Sequence, residues 1–407
     1  QTPWSEGQNV RHLEPMGFIK FDILGLSTLK MIEGAVGHIL KRHHGIENPT
    51  FDDIKKYYDE KLNPDVINLN DQKVYKDIFH KGKWAGIFQF TEKGAQNFCV
   101  RAKPKNIVNI AAITSIYRPG PLSANVHESY IEAKENPGKI KYGNEIVKEI
   151  TKETYGFLIF QEQIALLAHK LGKDFSLDEG NKLRKLLTKK GTGAVAAEKN
   201  KLRLKFVAGC VEKGLSEEWA DAMWQKFEFF SGYGFNKSHA VSYSIISYQC
   251  AWLYHYYPAE WIAAFLDKEP ESRKEKAINI AKAHGFTIAP VDINTSGVVW
   301  EIGEGKSLIQ PLTSIKGLGS KAIDQIMEHR PFNTVEELLF NEEIVYSKLN
   351  KKALHALVRA QAVNNLMDER FNNLNHFWKS VVEQRPKSRK KLAASIEENK
   401  DVEDFTR

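Results

Sequence analysis

The densest cluster of cationic side chains lies between residues 182 and 205. It holds nine basic residues against one acid, Glu198, which gives a local charge of +8. The cations are Lys182, Arg184, Lys185, Lys189, Lys190, Lys199, Lys201, Arg203 and Lys205. Several cations on one folded scaffold suit a polyphosphate or a nucleic-acid backbone. A solvated lysine face would have the same composition, and this segment alone leaves both interpretations open.

A helix must position the first of these cations. Ser176 and Glu179 have the spacing of a capping box, which marks a helix start. An apolar stripe follows on that helix, and Lys182, Lys185 and Lys189 lie on a different stripe. The apolar residues are Leu183, Leu186 and Leu187.

A second stretch with unusual chemistry runs from residue 231 to 239 and reads SGYGFNKSH. Its glycines allow a close approach of the backbone, and its aromatic rings offer stacking faces. Its last four side chains offer phosphate or sugar contacts; they are Asn236, Lys237, Ser238 and His239. The alternative is a loop between two helices with a core tyrosine.

Arg118 stands in the rigid sequence Tyr117-Arg118-Pro119-Gly120-Pro121, which must be extended or turned. Rigid presentation favours a positioned contact with a ligand. An arginine stacked on Tyr117 is an equally common outcome.

Two glycines near residue 318 are typical of a helix-hairpin-helix. In Ile315-Lys316-Gly317-Leu318-Gly319, the glycines would let backbone N–H groups at a helix start face a phosphate. Lys316 and Lys321 would add positive charge. A contact of this kind binds the nucleic-acid backbone and does not distinguish bases.

Asp22 is the carboxylate best placed for a metal ion, because it ends a short alternating strand that begins at Phe18. Phosphoryl-transfer sites need two or more acidic ligands, so Asp22 alone would be an incomplete site. A strand-end aspartate that caps the next helix is the other interpretation. That helix would carry apolar residues from Leu26 to Leu40, with Ser27 and Thr28 near its cap.

The composition is that of a folded protein with two or three domains. The chain has 407 residues, 42% hydrophobic and 27% charged, with a net charge of +7. Its three cysteines are too scattered for a disulfide framework or a zinc site, which favours a reducing cytoplasm; they are Cys99, Cys210 and Cys250. No apolar run approaches the roughly 20 residues of a membrane span. The first residue is Gln1, and we interpret the chain as a processed product, a fragment or a trimmed form.

The pattern predicts a mainly α fold with small β elements. Sequence patterns typical of helices dominate from about residue 49 to 266, and Ser216 marks one further helix start. A short helix from Ala277 to His284 and a hairpin with Glu304-Gly305 at its tip should follow. The polar tail from Gln384 combines a basic run with acids, and we expect it to be solvated.

Nine motifs in this order resemble the bacterial C-family replicative DNA polymerases, the polymerase III alpha subunits, over residues 13 to 365. They include GFIKFDILGL at 17–26, GIFQFTEKG at 86–94, YRPGP at 117–121, TYGFLIFQEQ at 154–163, LRKLLTKK at 183–190, GYGFNKSHA at 232–240 and YPAEWIAA at 257–264. Pro290–Asn294 and Ile315–Gly319 also fit. The first motif and the QEQ form resemble the DnaE branch more than the PolC branch.

The resemblance implies a layout. Residues 1–45 would be the end of the palm, 46–266 the fingers, 267–380 a helix-hairpin-helix region that binds duplex DNA, and 381–407 a polar tail. Asp22 would be the third palm carboxylate and a ligand of one of two Mg²⁺ ions, with Lys20 of the same motif a second candidate catalytic residue.

The resemblance also implies ligands and partners. The incoming dNTP would contact two groups of residues. The first would surround its triphosphate and consists of Arg118, Arg184, Lys185, Lys189 and Lys190. The second would lie near the nucleotide and consists of Asn236, Lys237, Ser238 and His239, with His239 a sugar contact. Gly317 and Gly319 would touch primer-template phosphates. The paired palm aspartates, the thumb and the PHP domain would come from an N-terminal portion.

Three further expectations concern a departure from the family's motif, a candidate partner and an alternative function. Thr188 replaces the usual glycine before Lys189-Lys190 and stiffens that loop. A sliding clamp is a candidate partner, although no clear Gln-led clamp peptide is present. The alternative function is a non-catalytic, polymerase-derived DNA-binding module; either protein would be cytoplasmic and independent of membranes.

Overall fold

The computed structural model describes residues 16–17, 25–187, 193–366 and 371–405. Within these ranges the chain is mainly helical, and its strands form one small sheet of three. This confirms the predicted fold class. The expected strand at residues 18–22 lies outside the described residues.

The helical part comes first. Its α-helices in the described ranges are α1 Ser27–His44, α2 Phe51–Tyr57, α3 Gln72–Val74, α4 Lys93–Ala102, α5 Ile107–Ile116, α6 Pro119–Ser123, α7 Val126–Glu135, α8 Glu145–Thr151, α9 Gln161–Leu171, α10 Leu177–Leu187, α11 Ala194–Glu212, α12 Glu217–Ser231, α13 Lys237–Tyr256, α14 Pro258–Lys268 and α15 Glu271–Ala283. Short π-helical segments cover Tyr58–Leu62 and Tyr75–Phe79, and 3₁₀ turns cover Pro137–Lys139 and Lys152–Thr154.

Helix α1 begins differently from the prediction. Leu26 is its N-cap residue and no side chain caps it, so the expected cap from Ser27 or Thr28 is wrong. Both residues lie inside the first turn. Leu29, one of the apolar residues expected between Leu26 and Leu40, is 47% exposed, whereas the buried face of the helix includes Thr28, Met31 and Ile32.

Two other helix starts agree with their capping signals. The Ser176 hydroxyl accepts from the Glu179 N–H at 3.1 Å, and the Glu179 carboxylate accepts from the Ser176 N–H at 2.8 Å. The Ser216 hydroxyl accepts from the Trp219 N–H and caps α12. Helix α15 begins at Glu271, six residues before the predicted Ala277, because Pro270 provides the extended N-cap residue.

The helical part contains two apolar cores. The first is built from α1 to α5, α7 and α13 to α15, and Trp261 lies fully buried in it. The second is built from α8 to α12 around Phe206 and Phe227. The segment before α9 joins the two, because Phe160 packs in the first core and Leu158 in the second.

The sheet follows α15. It consists of β1 Thr287–Ala289, β2 Glu301–Ile302 and β3 Ser307–Ile309, in the order β1-β3-β2. Strands β2 and β3 form the predicted antiparallel hairpin, with Ile302 opposite Leu308. Strand β1 pairs parallel to β3 and was not predicted, since three residues are too few for a recognisable alternation.

The last part has its own core. Its helices are α16 Ser320–His329, α17 Val335–Phe340, α18 Lys351–Arg359, α19 Leu374–Phe377 and α20 Arg389–Glu398, with 3₁₀ turns at Leu312–Ser314 and Asn364–Leu366 and a π-helical segment at Trp378–Glu383. None of the described helices combines the length and apolar character needed to cross a bilayer.

The expectation of a solvated tail is wrong. Helix α20 buries Leu392 and Ile396 in the core of this last part. The Arg385 guanidinium lies 3.8 Å from the centre of the Tyr346 ring, and Arg389 donates to the Ile344 carbonyl at 2.6 Å. The polar composition of the tail concealed an i, i+4 apolar pair and two arginines with structural partners.

Candidate nucleotide and nucleic-acid sites

A cavity of about 520 Å³ joins two of the motifs that the sequence singled out. Its walls come from residues 118–121, from Gln161 and from residues 231–236. The Arg118 turn and the glycine-rich loop are more than 100 positions apart in the chain. The fold therefore brings together two candidate sites that were predicted separately.

Arg118 reaches this cavity from an extended residue before α6, in which Pro119 occupies the first turn. Its guanidinium lies 4.9 Å from the centre of the Phe235 ring. The alternative of a stack on Tyr117 is therefore wrong, and the aromatic partner comes from the glycine-rich loop. A Cβ on Gly120 would lie 3.2 Å from the Tyr233 Cβ, so the small residue permits this close approach.

The glycine-rich loop is fixed to the start of α9. The Gln161 N–H donates to the Phe235 carbonyl at 2.9 Å, and the Phe235 N–H donates to the Ile159 carbonyl at 3.0 Å. Asn236 then caps α13, since its side-chain oxygen accepts from the His239 N–H at 2.8 Å. Burial raises the pKa of Tyr233 to about 12. Among the described residues its buried hydroxyl has no hydrogen-bond partner.

Glu162 connects three of the groups around the cavity, and the sequence analysis did not single it out. Its carboxylate accepts from the Asn236 amide and from the Lys237 backbone N–H, both at 2.8 Å. It also lies 3.5 Å from Arg184 on α10. Glu162 stands in the QEQ motif, and an acid at a helix start beside predicted cations is the signal that could have indicated it.

Lys237 has a carboxylate partner too. Its ammonium donates to Glu153 at 2.5 Å and lies 5.8 Å from the centre of the Phe160 ring. Ser238 and His239 are exposed at the start of α13. The His239 ring stacks on Tyr243 with centroids 4.0 Å apart, which holds the imidazole against the helix.

The basic segment divides into two kinds of cation. Arg203 and Lys205 on α11 form ion pairs with Asp221 at 2.6 Å and with Glu179 at 2.8 Å. The hydrogen bond from Lys205 lowers the pKa of Glu179 to about 2. These two cations therefore support the packing of α10, α11 and α12. Neither the phosphate-binding interpretation nor the solvated-face interpretation describes these two side chains, because both are paired with carboxylates of neighbouring helices.

Lys185 lies exposed on α10, one residue from Arg184. Thr188, Lys189 and Lys190 lie outside the described residues, and so do Lys20 and Asp22. Within the described ranges no group of three His, Cys, Asp or Glu side chains could hold a metal ion.

The second site is the turn before α16. Gly317 has φ of +98°, a region that disfavours side chains, and Gly319 is the N-cap residue with no side-chain cap on the helix. Lys316 and Lys321 are exposed on either side of the turn. Helix α16 begins at Ser320, directly after Gly319, and ends at His329. The local arrangement is the predicted one, with N–H groups of a helix start open towards solvent.

Two family models match the chain. The bacterial DNA polymerase III alpha subunit finger domain matches residues 43–214, and a helix-hairpin-helix motif matches residues 285–390. The first contains Arg118, Glu162 and Arg184, and the second contains the Gly317 turn.

Curated relatives match most of the chain. It is 35% identical to the DNA polymerase III subunit alpha of Aquifex aeolicus, over 86% of this chain and 29% of that protein. It is 33% identical to the protein of the same name from Borreliella burgdorferi, over 93% of this chain and 31% of that protein. The chain spans less than a third of the length of these relatives. Together the matches confirm the resemblance: the chain belongs to the family of the bacterial DNA polymerase III alpha subunit.

Proposed function

We propose that this chain supplies the fingers and the duplex-binding region of a DNA-directed DNA polymerase. The fingers would hold the incoming dNTP, and the helix-hairpin-helix region would hold the primer-template duplex. Primer extension by nucleotidyl transfer would need the palm carboxylates, which we assign to Asp22 and to an N-terminal portion with PHP domain, palm and thumb.

The observation that carries this proposal is the cavity between the Arg118 turn and the glycine-rich loop. It offers a guanidinium, amide groups and aromatic surface within one space of about 520 Å³. Guanidinium and amide donors suit phosphate oxygens, while Phe235 and Tyr233 suit a base or sugar. Arg184 and Lys237 stand beside this space and could add charge.

In the proposed mechanism the chain's own residues bind and orient substrates. Arg118 and the cations of α10 would hold the triphosphate, so that the reacting phosphorus keeps one position relative to the primer end. The His239 ring would meet the sugar, because Tyr243 fixes its orientation. The turn at Gly317 would hold a duplex phosphate through backbone N–H groups.

Two Mg²⁺ ions belong to the proposal as cofactors of the complete enzyme. Such ions stabilise the charge on the attacking and leaving oxygens when they are bound. Asp22 would supply one carboxylate ligand to these ions. The other ligands would have to come from the N-terminal portion.

Primer extension tests the proposal. We expect no extension by the purified chain and extension after it is mixed with the N-terminal portion. Extension by the isolated chain would contradict the assignment of the palm carboxylates. A folded mixture that binds duplex DNA but does not extend it would contradict the division of functions between the two portions.

One observation favours the alternative of a non-catalytic DNA-binding module. Glu153 and Glu162 already pair with Lys237 and Arg184, which reduces the positive charge available to a triphosphate. Thermal unfolding with and without dNTP distinguishes the two functions. Stabilisation by dNTP that is lost in Lys189→Ala/Lys190→Ala supports the polymerase, whereas duplex binding without any dNTP effect supports the module.

A further inference from the structure

A second cavity, of about 780 Å³, lies beside the Gly317 turn and reaches onto helix α18. On one side it is lined by residues 314–317 and on the other by α18. Residues 290–291 and Gln310, next to the sheet, complete its wall. Of these walls, only the turn around Gly317 was predicted from the sequence to contact DNA.

Among the described residues that line this cavity, three are cations and none is a carboxylate. The cations are Lys316 from the turn and Lys352 and Arg359 from α18. All three are exposed, and across the described residues none of them forms an ion pair. The cavity therefore concentrates positive charge that nothing in the described part of the chain neutralises, which attracts an anionic ligand.

Neighbouring cations of the same region differ in this respect. Lys351 donates to the Glu383 carbonyl at 2.6 Å, and Arg385 donates to the Leu349 carbonyl, also at 2.6 Å. These groups hold the fold together. Lys352 and Arg359 have no such partner within the described ranges, so their charges are free for a ligand.

The turn and α18 approach each other closely. A Cβ on Gly317 would lie 3.6 Å from the Cε atom of Lys352 and 3.9 Å from the Cβ of Ala356. Lys352 therefore stands directly beside the backbone that the helix-hairpin-helix turn would present to a phosphate. Ala356 lies between Lys352 and Arg359 in the chain, and Ala360 follows Arg359. Both alanines line the cavity, and their small side chains leave room for a ligand backbone.

The spacing on α18 suits a polymer of phosphates. Lys352 and Arg359 are seven residues apart, which places them on one face of the helix and about 10.5 Å apart along its axis. Phosphates of one DNA strand advance about 3.4 Å each along the duplex axis. Two cations at this separation can contact two phosphates that are not adjacent in the strand. A single free phosphate ion could not contact both cations.

We propose that the turn and α18 form one composite site for the backbone of a duplex DNA strand, with Lys352 and Arg359 as additional phosphate contacts. This deepens the proposed function and rests on its duplex-binding part. The site binds backbone and is indifferent to base sequence, because every lining cation would meet phosphate.

Salt-dependent binding tests the composite site. The affinity of the chain for a fluorescent duplex is measured by anisotropy between about 50 and 200 mM salt for wild type, Lys352→Gln and Arg359→Gln. Glutamine keeps much of the aliphatic stem and removes the charge. Lys390→Gln is the matched control, since Lys390 is exposed on α20 and does not line the cavity. Circular dichroism confirms that each variant is folded.

We expect each cavity variant to reduce the slope of log K against log salt by about 1, the double variant by about 2, and the control to leave it unchanged. The reduction should be the same for two unrelated duplex sequences. Wild-type slopes in folded Lys352→Gln and Arg359→Gln, with duplex binding intact, would overturn the composite site alone. A wild-type chain that binds no duplex would instead overturn the proposed function on which it rests.

Discussion

Replacement of Glu162 by alanine tests how the cavity between the Arg118 turn and the glycine-rich loop is held together. The Glu162 carboxylate accepts hydrogen bonds of 2.8 Å from the Asn236 amide and from the Lys237 N–H, and it faces Arg184 at 3.5 Å. Removing it leaves the first N–H of α13 and the cap residue without their acceptor. We therefore expect the start of α13 to open more often.

The magnitude follows from these contacts. Each hydrogen bond to a charged acceptor contributes roughly 1.5 to 3 kcal/mol when buried. The Glu162 side chain is 32% exposed, so water replaces part of each contact. A loss of about 2 kcal/mol for the two bonds together corresponds to about 30-fold more frequent local opening.

Hydrogen exchange measured by mass spectrometry on peptides that cover residues 235–245 is the assay. Glu162→Gln should give an intermediate increase, because its amide oxygen still accepts one bond. Glu145→Ala is the control, since that carboxylate is 86% exposed and pairs with Lys148 on the surface. Exchange at the wild-type rate in folded Glu162→Ala would refute the role assigned to Glu162.

Three further predictions concern other parts of the chain. Gly317→Val should weaken duplex binding equally for unrelated sequences, because φ of +98° costs a branched residue about 1 to 3 kcal/mol; loss confined to one sequence in anisotropy titrations would contradict a backbone contact. Burial raises the pKa of Asp267 to about 6. The folded state therefore favours the protonated carboxyl, and this stabilises the fold by up to about 3 kcal/mol below pH 4. The contribution is lost as the pH rises through 6. Asp267→Asn, which keeps an acceptor for the Trp300 N–H, should therefore exceed wild type in urea midpoint at pH 8 and match it below pH 4; equal midpoints at both pH values would exclude a raised pKa. Asp22→Asn in the palm-containing enzyme should abolish primer extension and leave duplex affinity unchanged, and extension at the wild-type rate would exclude Asp22 as a metal ligand.

Local signals in the sequence were sufficient for several elements. The Ser176 and Ser216 caps begin helices as predicted, because a side-chain oxygen three residues before an N–H acts within one turn. The hairpin around Gly305 and the helix after Gly319 also agree, since glycine at these turns has a local conformational reason.

Contacts between distant segments could not be predicted in the same way. Nothing local indicates that Phe235 rather than Tyr117 faces Arg118, because the choice depends on how the glycine-rich loop pairs with the start of α9. The carboxylates that neutralise part of the cationic cluster were hidden for the same reason. Glu162 and Glu179 lie near their partners only after the helices pack.

The tail shows the limit of composition. Its many charges predicted a solvated end, yet Leu392 and Ile396 are buried. Two apolar residues at i, i+4 were enough to fix one face of α20. Arg385 and Arg389 are half-buried and donate to backbone carbonyls.

The dNTP dependence of primer extension tests the central claim, that the cavity beside Arg118 holds the incoming nucleotide. The KM for dNTP and the affinity for duplex DNA are compared between the palm-containing wild-type enzyme and Arg118→Gln. The account predicts a KM at least tenfold higher with duplex affinity unchanged, because the variant loses a charged phosphate contact of roughly 1.5 kcal/mol or more. An unchanged KM and kcat in Arg118→Gln would contradict it.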